Sequence, residues 1–287
     1  MQQKLGTSPI LKRMTPGFQQ IRNKTVHVAS IPGMNPKGPV VVMLHGIAGS
    51  AASWLPLIKS MTFFAKKFLI MDLPCHGLSP EIQPPFTVME AYQTVKACLV
   101  KNLDPLNNHM IIGNSLGGAF AFRFCSECPE LAQSCVLISP AGAPFPTSAH
   151  DVIEPFCAKT IGDACKIIER IWFHPTPLSY TLAPVLLHTM AQPGYLSLME
   201  SIMDIDTHPD GETAKMLFAP DMLKAFPTRL LLIWGQRDAV LPHEMCEYYD
   251  KYLPDSVQRI FPEDMGHCPQ LEVPNAVAKL IMDWFSA

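Results

Sequence analysis

Ser115 lies in the pattern Gly-x-Ser-x-Gly, with Gly113 and Gly117 two residues away on either side. A serine at a sharp turn between a strand and a helix has a strained backbone, and its hydroxyl is lifted clear of the sheet. Side chains two residues away would collide at such a turn, so both neighbours are glycine. The turn also places the serine at a helix N-terminus, where free N–H groups favour developing negative charge. The pattern therefore predicts that Ser115 is a nucleophile.

A serine hydroxyl is a poor nucleophile until a base removes its proton and a third group orients that base. Asp238 and His267 each follow a predicted strand, so we expect both to project from the edge of the sheet that carries Ser115. The chain order serine, aspartate, histidine agrees with His267 as the base and Asp238 as the group that orients it. The alternatives are that Asp238 caps the helix beyond it and that His267 is a structural histidine beside a turn. Glu263 or Asp264 could also orient the histidine, but both are too near His267 in sequence to reach around it easily.

A tetrahedral oxyanion needs N–H donors, and each donor is worth about 3–4 kcal/mol of transition-state stabilisation. We expect one donor to be the backbone N–H of Leu116, directly after the predicted nucleophile. The second is expected from Ile47, in the loop that follows the strand ending at Leu44. Both are backbone roles, so the side chains at these positions matter little.

The composition excludes several classes of protein. The chain has 287 residues, of which 48% are hydrophobic, enough for one α/β domain with an insertion or for two domains. The net charge is -3, and no basic stretch indicates nucleic acid binding. The nine cysteines lack regular spacing, so the pair Cys125 and Cys128 indicates free thiols and a reducing compartment rather than a metal or redox site. The histidines also lack metal-ligand spacing, and no metal is expected.

The segment Met1–Gly17 contains Lys4, Lys12 and Arg13 but no apolar core of a signal peptide. No run of about 18 apolar residues, the length that a membrane span requires, occurs in the chain. We therefore expect a cytoplasmic protein.

Apolar runs typical of buried strands alternate with helical patterns along most of the chain, after a polar and irregular start. This alternation predicts a mainly parallel sheet with helices on both faces. The predicted strands are Lys24–Ser30, Val40–Leu44, Phe68–Met71, Met110–Gly113, Cys135–Ile138, Arg229–Trp234 and Ser256–Phe261. The predicted helices between them are Ser53–Ala65, Thr87–Asn102, Leu116–Ser126, His243–Tyr252 and Asn275–Phe285.

The alternation breaks between Ala143 and Phe226, where no strand pattern occurs. We therefore predict two parts of an α/β core, 1–142 and 227–287, separated by a helical cap over 143–226. The apolar residues of the cap indicate a pocket for an acyl chain, or a hydrophobic core that the cap needs for itself. The predicted helices of the cap are Ala164–Trp172, Leu178–Met190, Tyr195–Met203 and Glu212–Lys224.

From about Val26 to Phe285 the chain resembles the α/β-hydrolase fold superfamily. The resemblance implies an eight-stranded, mainly parallel, doubly wound sheet with a helical cap over the site. At Cys75 the chain departs from the pattern, because relatives commonly have glycine there, and the shape of that loop is left open. The motifs that carry the resemblance are His45-Gly46, Asp72-x-Pro74-x-x-Gly77-x-Ser79, Gly113-Asn114-Ser115-Leu116-Gly117-Gly118, and Asp238 with Gly266-His267.

The branch of the superfamily is indicated by residues around the predicted nucleophile. Ser115 argues against the dehalogenase and epoxide-hydrolase branches, which use aspartate there. The form Gly-Asn-Ser-x-Gly-Gly also occurs in carbon–carbon bond hydrolases, but these usually have a glycine-rich oxyanion loop and a tryptophan after the catalytic histidine. Here the loop reads Ile47–Ser50, and Cys268 follows His267. The chain is more similar to serine esterases and monoacylglycerol-type lipases.

The resemblance thus implies a serine hydrolase that cleaves a carboxylic ester with an apolar acyl group through an acyl-enzyme, using Ser115, Asp238 and His267. No cofactor is expected, and the partner is a small-molecule ester. Membrane contact is not required, although an apolar cap is compatible with transient contact at a lipid interface. The alternatives are a carbon–carbon bond hydrolase of the meta-cleavage type, thioester or amide hydrolysis, peracid formation, and a non-catalytic ligand-binding protein of this fold.

Overall fold

The computed structural model of the protein describes residues 11–287. Residues 1–10, which belong to the segment searched for a signal peptide, lie outside the described residues. Eight strands form one sheet in the order β1-β2-β4-β3-β5-β6-β7-β8. The strands β1 and β2 run antiparallel to their neighbours, and every pairing from β4 to β8 is parallel. These strands are β1 (Thr15–Ile21), β2 (Lys24–Pro32), β3 (Val40–Leu44), β4 (Lys67–Met71), β5 (His109–Ser115), β6 (Ser134–Pro140), β7 (Arg229–Ile233) and β8 (Gln258–Ile260).

Helices cover both faces of the sheet, and this confirms the predicted doubly wound α/β architecture. The helix α2 begins with a capping box, in which the Thr87 hydroxyl accepts from Glu90 N at 3.2 Å and Glu90 Oε2 accepts from Thr87 N at 3.0 Å. The helices are α1 (Leu55–Met61), α2 (Val88–Asn102), α3 (Leu116–Glu127), α4 (Ala149–Ile153), α5 (Ile161–Ile171), α6 (Ala183–Met190), α7 (Pro193–Met203), α8 (Pro220–Lys224), α9 (His243–Tyr252), α10 (Pro269–Glu272) and α11 (Pro274–Ser286).

The central strands are buried on both faces, so alternate residues of one strand belong to two separate hydrophobic clusters. In β3, Val42 and Leu44 pack toward α2 and α3, whereas Val41 and Met43 pack toward α1 and α11. Burial on both sides explains why these strands appear in the sequence as continuous apolar runs. The sheet therefore holds the C-terminal end of β5, and with it Ser115, in a rigid frame.

For the described part of the start of the chain, the expectation of an irregular structure is wrong, because β1 forms a hairpin with β2. The turn consists of Arg22 and Asn23, whose φ angles of 49° and 62° suit the right-handed twist of a two-residue hairpin. The strand lies at the edge of the sheet with a solvent-facing side, on which Phe18 is 62% exposed. An edge position also tolerates Pro16, which would break a central strand.

Between β6 and β7 the chain forms α4 to α8 with short 3₁₀ turns, and no strand occurs in this described stretch. The predicted helix Glu212–Lys224 is wrong as a single helix. A 3₁₀ turn at Ala214–Met216 is followed by α8, which begins at Pro220 because proline lacks the N–H that a helix interior requires. Within residues 11–287, no helix is both long enough and apolar enough to cross a membrane.

Candidate active site

Ser115 is the last residue of β5, and α3 begins directly after it. Its φ of 54° and ψ of -121° lie in a region that a residue with a side chain rarely adopts. A Cβ on Gly113 would come within 2.2 Å of Gly117 O, and one on Gly117 within 2.2 Å of Leu44 O. Both glycines are therefore required, because the strained turn is packed tightly against its own helix and against β3.

Asp238 and His267 lie in contact, with 2.8 Å between Asp238 Oδ2 and His267 Nδ1. Both side chains are almost fully buried. The second carboxylate oxygen of Asp238 accepts from Val240 N at 2.8 Å and from Leu241 N at 3.0 Å, so this residue also caps the turn that follows it. Burial alone raises the pKa of Asp238, but the attraction of His267 and these hydrogen bonds outweigh it and lower the pKa below its ordinary value. An ionised carboxylate at Nδ1 keeps the proton of a neutral imidazole there and leaves Nε2 free to accept another.

Ser115 and His267 line one cavity of about 280 Å³, together with Ile47 and Leu116. The loop that contains Ile47 lies against the serine, because a Cβ on Gly46 would come within 2.9 Å of the Cβ of Ser115. Four of the five predicted site residues thus face the same space. Asp238, the fifth, contacts His267 but does not line the cavity.

His45 holds one end of the loop that contains Ile47. Its Nε2 accepts from Leu73 N at 3.0 Å, so its proton is on Nδ1, which donates to Gly46 O at 2.8 Å. The other end of the loop is held by Asp72, whose carboxylate accepts from Ala51 N at 2.6 Å. The backbone around Ile47 is therefore fixed by buried groups at both ends.

Cys75, the departure from the family pattern, has a φ of 63°. This left-handed conformation is one that glycine adopts at no steric cost, whereas the side chain of a cysteine is strained there. Gly77 has a φ of 55°, and a Cβ there would collide with Asp72 Oδ1 at 2.1 Å. The loop therefore forms tight turns at both Cys75 and Gly77, and the backbone of Cys75 is strained.

His76 of the same loop is buried against α7. Its ring lies 5.4 Å from that of His45 and 5.2 Å from that of Tyr195 in α7. Burial, followed by the nearby imidazole of His45, lowers the pKa of His76 to about 3. The unfolded chain binds a proton here at about pH 6.5, so the native state loses stability as the pH falls from 6.5 toward 3.

We expect His76→Gln to reduce the acid sensitivity of the fold. At pH 5 the depressed pKa of His76 costs the wild-type protein about 2 kcal/mol of its free energy of unfolding relative to neutral pH. Glutamine retains an N–H that can donate to Pro74 O, the 2.9 Å partner of His76 Nδ1, and does not titrate. Urea unfolding at pH 7 and pH 5 measures the loss in both proteins. Equal losses would mean that native His76 takes up its proton at an ordinary pH.

Asn114 belongs to the motif around Ser115, and its buried side chain connects two loops of the site. Its Nδ2 donates to His267 O at 3.0 Å, and its Oδ1 accepts from Gln270 Nε2 at 3.1 Å and from Cys268 Sγ at 3.3 Å. The residue before Ser115 is thus tied to the loop of His267. The sequence signal for these hydrogen bonds is a lone amide side chain next to an apolar strand, because a buried amide requires partners.

The cysteines of the described residues are free thiols, most of them buried. Among residues 11–287, no group of three or more His, Cys, Asp or Glu side chains is placed to hold a metal ion.

The comparisons with known proteins agree with this fold. The chain is 28% identical to pimeloyl-[acyl-carrier protein] methyl ester esterase of Neisseria meningitidis over 226 residues, 75% of this chain and 81% of that protein. It is 23% identical to Lipase 1 of Psychrobacter immobilis over 252 residues, 85% of this chain and 76% of that one. The structure of 2-hydroxy-6-oxo-6-phenylhexa-2,4-dienoate hydrolase from Rhodococcus is similar with a TM-score of 0.77 at 21% identity, covering 96% of this chain and 99% of that one. A sequence profile described as "Alpha/beta hydrolase family" matches residues 41–280, and the chain belongs to this family.

Proposed function

We propose that this protein is a serine hydrolase that cleaves carboxylic esters with an apolar acyl group. Nε2 of His267 removes the proton of Ser115, whose oxygen attacks the ester carbonyl. The backbone N–H groups of Ile47 and Leu116 hold the oxyanion. His267 then gives its proton to the leaving alcohol, and water repeats the sequence on the acyl-enzyme. Asp238 fixes the tautomer of His267 and stabilises its cation, as their 2.8 Å contact allows.

The choice of an apolar acyl group rests on the side chains that line the cavity. Within the described residues, no Asp, Glu, Lys or Arg side chain lines the cavity. A carboxylate buried there without a partner would be strongly disfavoured, whereas an alkyl chain gains about 0.8 kcal/mol for each buried CH₂. A neutral, apolar acyl group therefore fits this space. The apolar side chains that the cap contributes include Ile153, Phe156, Trp172, Leu186, Ile202 and Ile205.

The apolar residues of the cap divide between the two roles considered from sequence. Trp172, Leu186 and Met216 line the cavity. By contrast, Leu198 and Met199 are buried in the hydrophobic core without lining it. This division supports both a pocket for an acyl chain and a hydrophobic core that serves the cap itself.

The carbon–carbon hydrolase alternative has less support from the site. The name of the Rhodococcus enzyme describes a dienoate, which is an anion, and a likeness at 21% identity indicates the fold alone. A dienoate carboxylate would need a cationic partner, and the cavity wall of the described residues contributes none apart from a protonated His267. The strained geometry at Ser115 argues against a binding protein without activity, because binding alone does not require it.

We expect the protein to hydrolyse p-nitrophenyl esters from acetate to palmitate and to prefer neutral acyl chains. A matched pair tests the charge directly, because methyl octanoate and monomethyl suberate have equal chain lengths but end in a methyl group and a carboxylate. Burying the charged end should lower kcat/KM by roughly 100-fold or more. Equal or faster cleavage of the suberate ester would contradict an uncharged acyl site. Inactivity toward every ester would contradict ester hydrolysis and favour the alternative of a carbon–carbon bond hydrolase.

A further inference from the structure

The end of helix α5 in the cap is bonded to the loop that contains His267. Cys268 N, directly after the histidine, donates to Ile171 O at 3.3 Å. The carboxylate of Glu272 accepts from Phe173 N at 3.0 Å through one oxygen and from Gly266 N at 3.2 Å through the other. One side chain thus joins the cap to the residue that precedes His267.

This junction leaves little room for either side to move. A Cβ on Gly266 would come within 2.7 Å of both Phe173 N and Glu272 Oε1. The same end of α5 also contacts the loop of the aspartate, because Arg170 Nε donates to Ala239 O at 3.0 Å, next to Asp238. The cap segment therefore contacts the neighbours of two predicted catalytic side chains.

The segment also borders the substrate space, since Ile171 and Trp172 both line the cavity beside Ser115. An acyl chain in this cavity would pack against Ile171 and Trp172. The next residue, Phe173, is hydrogen-bonded to Glu272. Proton transfer is sensitive to the placement of the base, and an error of about 1 Å can cost on the order of 100-fold in rate. A contact that orders this segment therefore also affects the placement of His267.

We propose that Glu272 is a positioning residue that fastens the cap segment Ile171–Phe173 to the loop of His267, so that an acyl chain bound against this segment helps to hold the histidine for proton transfer. The inference rests on the proposed ester hydrolysis at Ser115. Glu272 itself touches neither the substrate nor the reacting atoms. Its effect is exerted on kcat, through the backbone of Gly266.

Glu272→Gln tests the role with almost no change of shape. The amide keeps one acceptor oxygen but turns its NH₂ toward a backbone N–H, so one of the two bonds is lost. We expect kcat for p-nitrophenyl octanoate to fall about tenfold, with KM changed by less than about twofold. The kcat for the acetate, whose chain is too short to order the segment, should fall less. Glu263→Gln is the matched control, because it removes the same charge from an exposed position of the same loop.

A double-mutant cycle with Trp172→Ala tests the coupling itself. If Glu272 transmits the contact made at Trp172, the double variant should be no slower on the octanoate than the slower single variant, within about twofold. Rate losses that multiply would overturn the proposal, and so would a Glu272→Gln enzyme with the kcat of the wild type.

If the glutamine variant does not fold, Glu272→Asp replaces it, because aspartate is too short to reach both N–H groups and is expected to show the same kcat loss. A wild-type protein inactive on all esters would overturn the proposed function as well, whereas an active wild type with an unaffected variant overturns this inference alone.

Discussion

Ser115→Ala is expected to lower kcat for ester hydrolysis on the order of 10⁶-fold, because no other group replaces the attacking oxygen. Alanine retains a Cβ, so the strained backbone with its φ of 54° remains as costly as in the wild type. The fold and the cavity should therefore persist, and the loss reports chemistry alone. The measurement is kcat/KM for p-nitrophenyl esters, with thermal unfolding of both proteins to verify the structure.

Ser139→Ala provides a matched control for this substitution. Ser139 is also a buried serine with positive φ, 41°, and it lies near the end of β6 beside the predicted nucleophile strand. Its replacement removes the same hydroxyl group without removing the proposed nucleophile, so kcat should stay within about twofold of the wild type. A Ser115→Ala enzyme that keeps more than a tenth of the activity would contradict the proposed nucleophile.

Asp238→Asn is expected to lower kcat on the order of 10⁴-fold while leaving the fold nearly unchanged. The asparagine oxygen can still accept from Val240 N and Leu241 N, so the turn is preserved. Its NH₂ would face Nδ1 of His267 and force the imidazole proton onto Nε2, where it blocks removal of the proton of Ser115. The measurement is kcat together with the unfolding temperature.

A comparison with Asp238→Ala separates the two roles of this carboxylate. Alanine removes both the contact with His267 and the acceptor for the turn, so the variant should also lose about 1–2 kcal/mol of stability. Asp264→Asn, at an exposed position of the loop that contains His267, is the control and should remain fully active. If Asp238→Asn retained the wild-type kcat, another carboxylate, such as Glu263 or Asp264, would have to orient the histidine.

The elements that the sequence predicts best are those that are buried along their whole length. The strands β3 and β5 are buried on both faces, and their apolar runs indicated this directly. The edge strand β1 has no such run, because it is stabilised by pairing with β2 and faces solvent. Between β6 and β7, the helical pattern of the sequence continues across Pro220, although this proline begins a new helix.

The same distinction holds for the candidate site. Ser115, Asp238 and His267 were predicted because each has a local pattern and a strand before it. Asn114 belongs to the motif around Ser115, and Glu272 follows His267 by five residues, but no local pattern indicates their contacts: Asn114 bonds to a residue 153 positions distant, and Glu272 to one 99 positions distant. Such partners follow from the tertiary fold, and spacing along the chain does not indicate them.

The insertion between β6 and β7 has a consequence for how such enzymes diversify. These two strands are hydrogen-bonded neighbours, and Phe218 N donates to Gly142 O at 2.7 Å where the insertion leaves the sheet. A different insert could join the strands without rebuilding the sheet or relocating Ser115, Asp238 or His267. The junction with the histidine loop uses backbone atoms of Ile171 and Phe173, which every amino-acid sequence with that backbone path supplies. An exchange of this insertion would therefore change the wall of the cavity, to which Ile171 and Trp172 contribute, and leave the positions of Ser115, Asp238 and His267 unchanged.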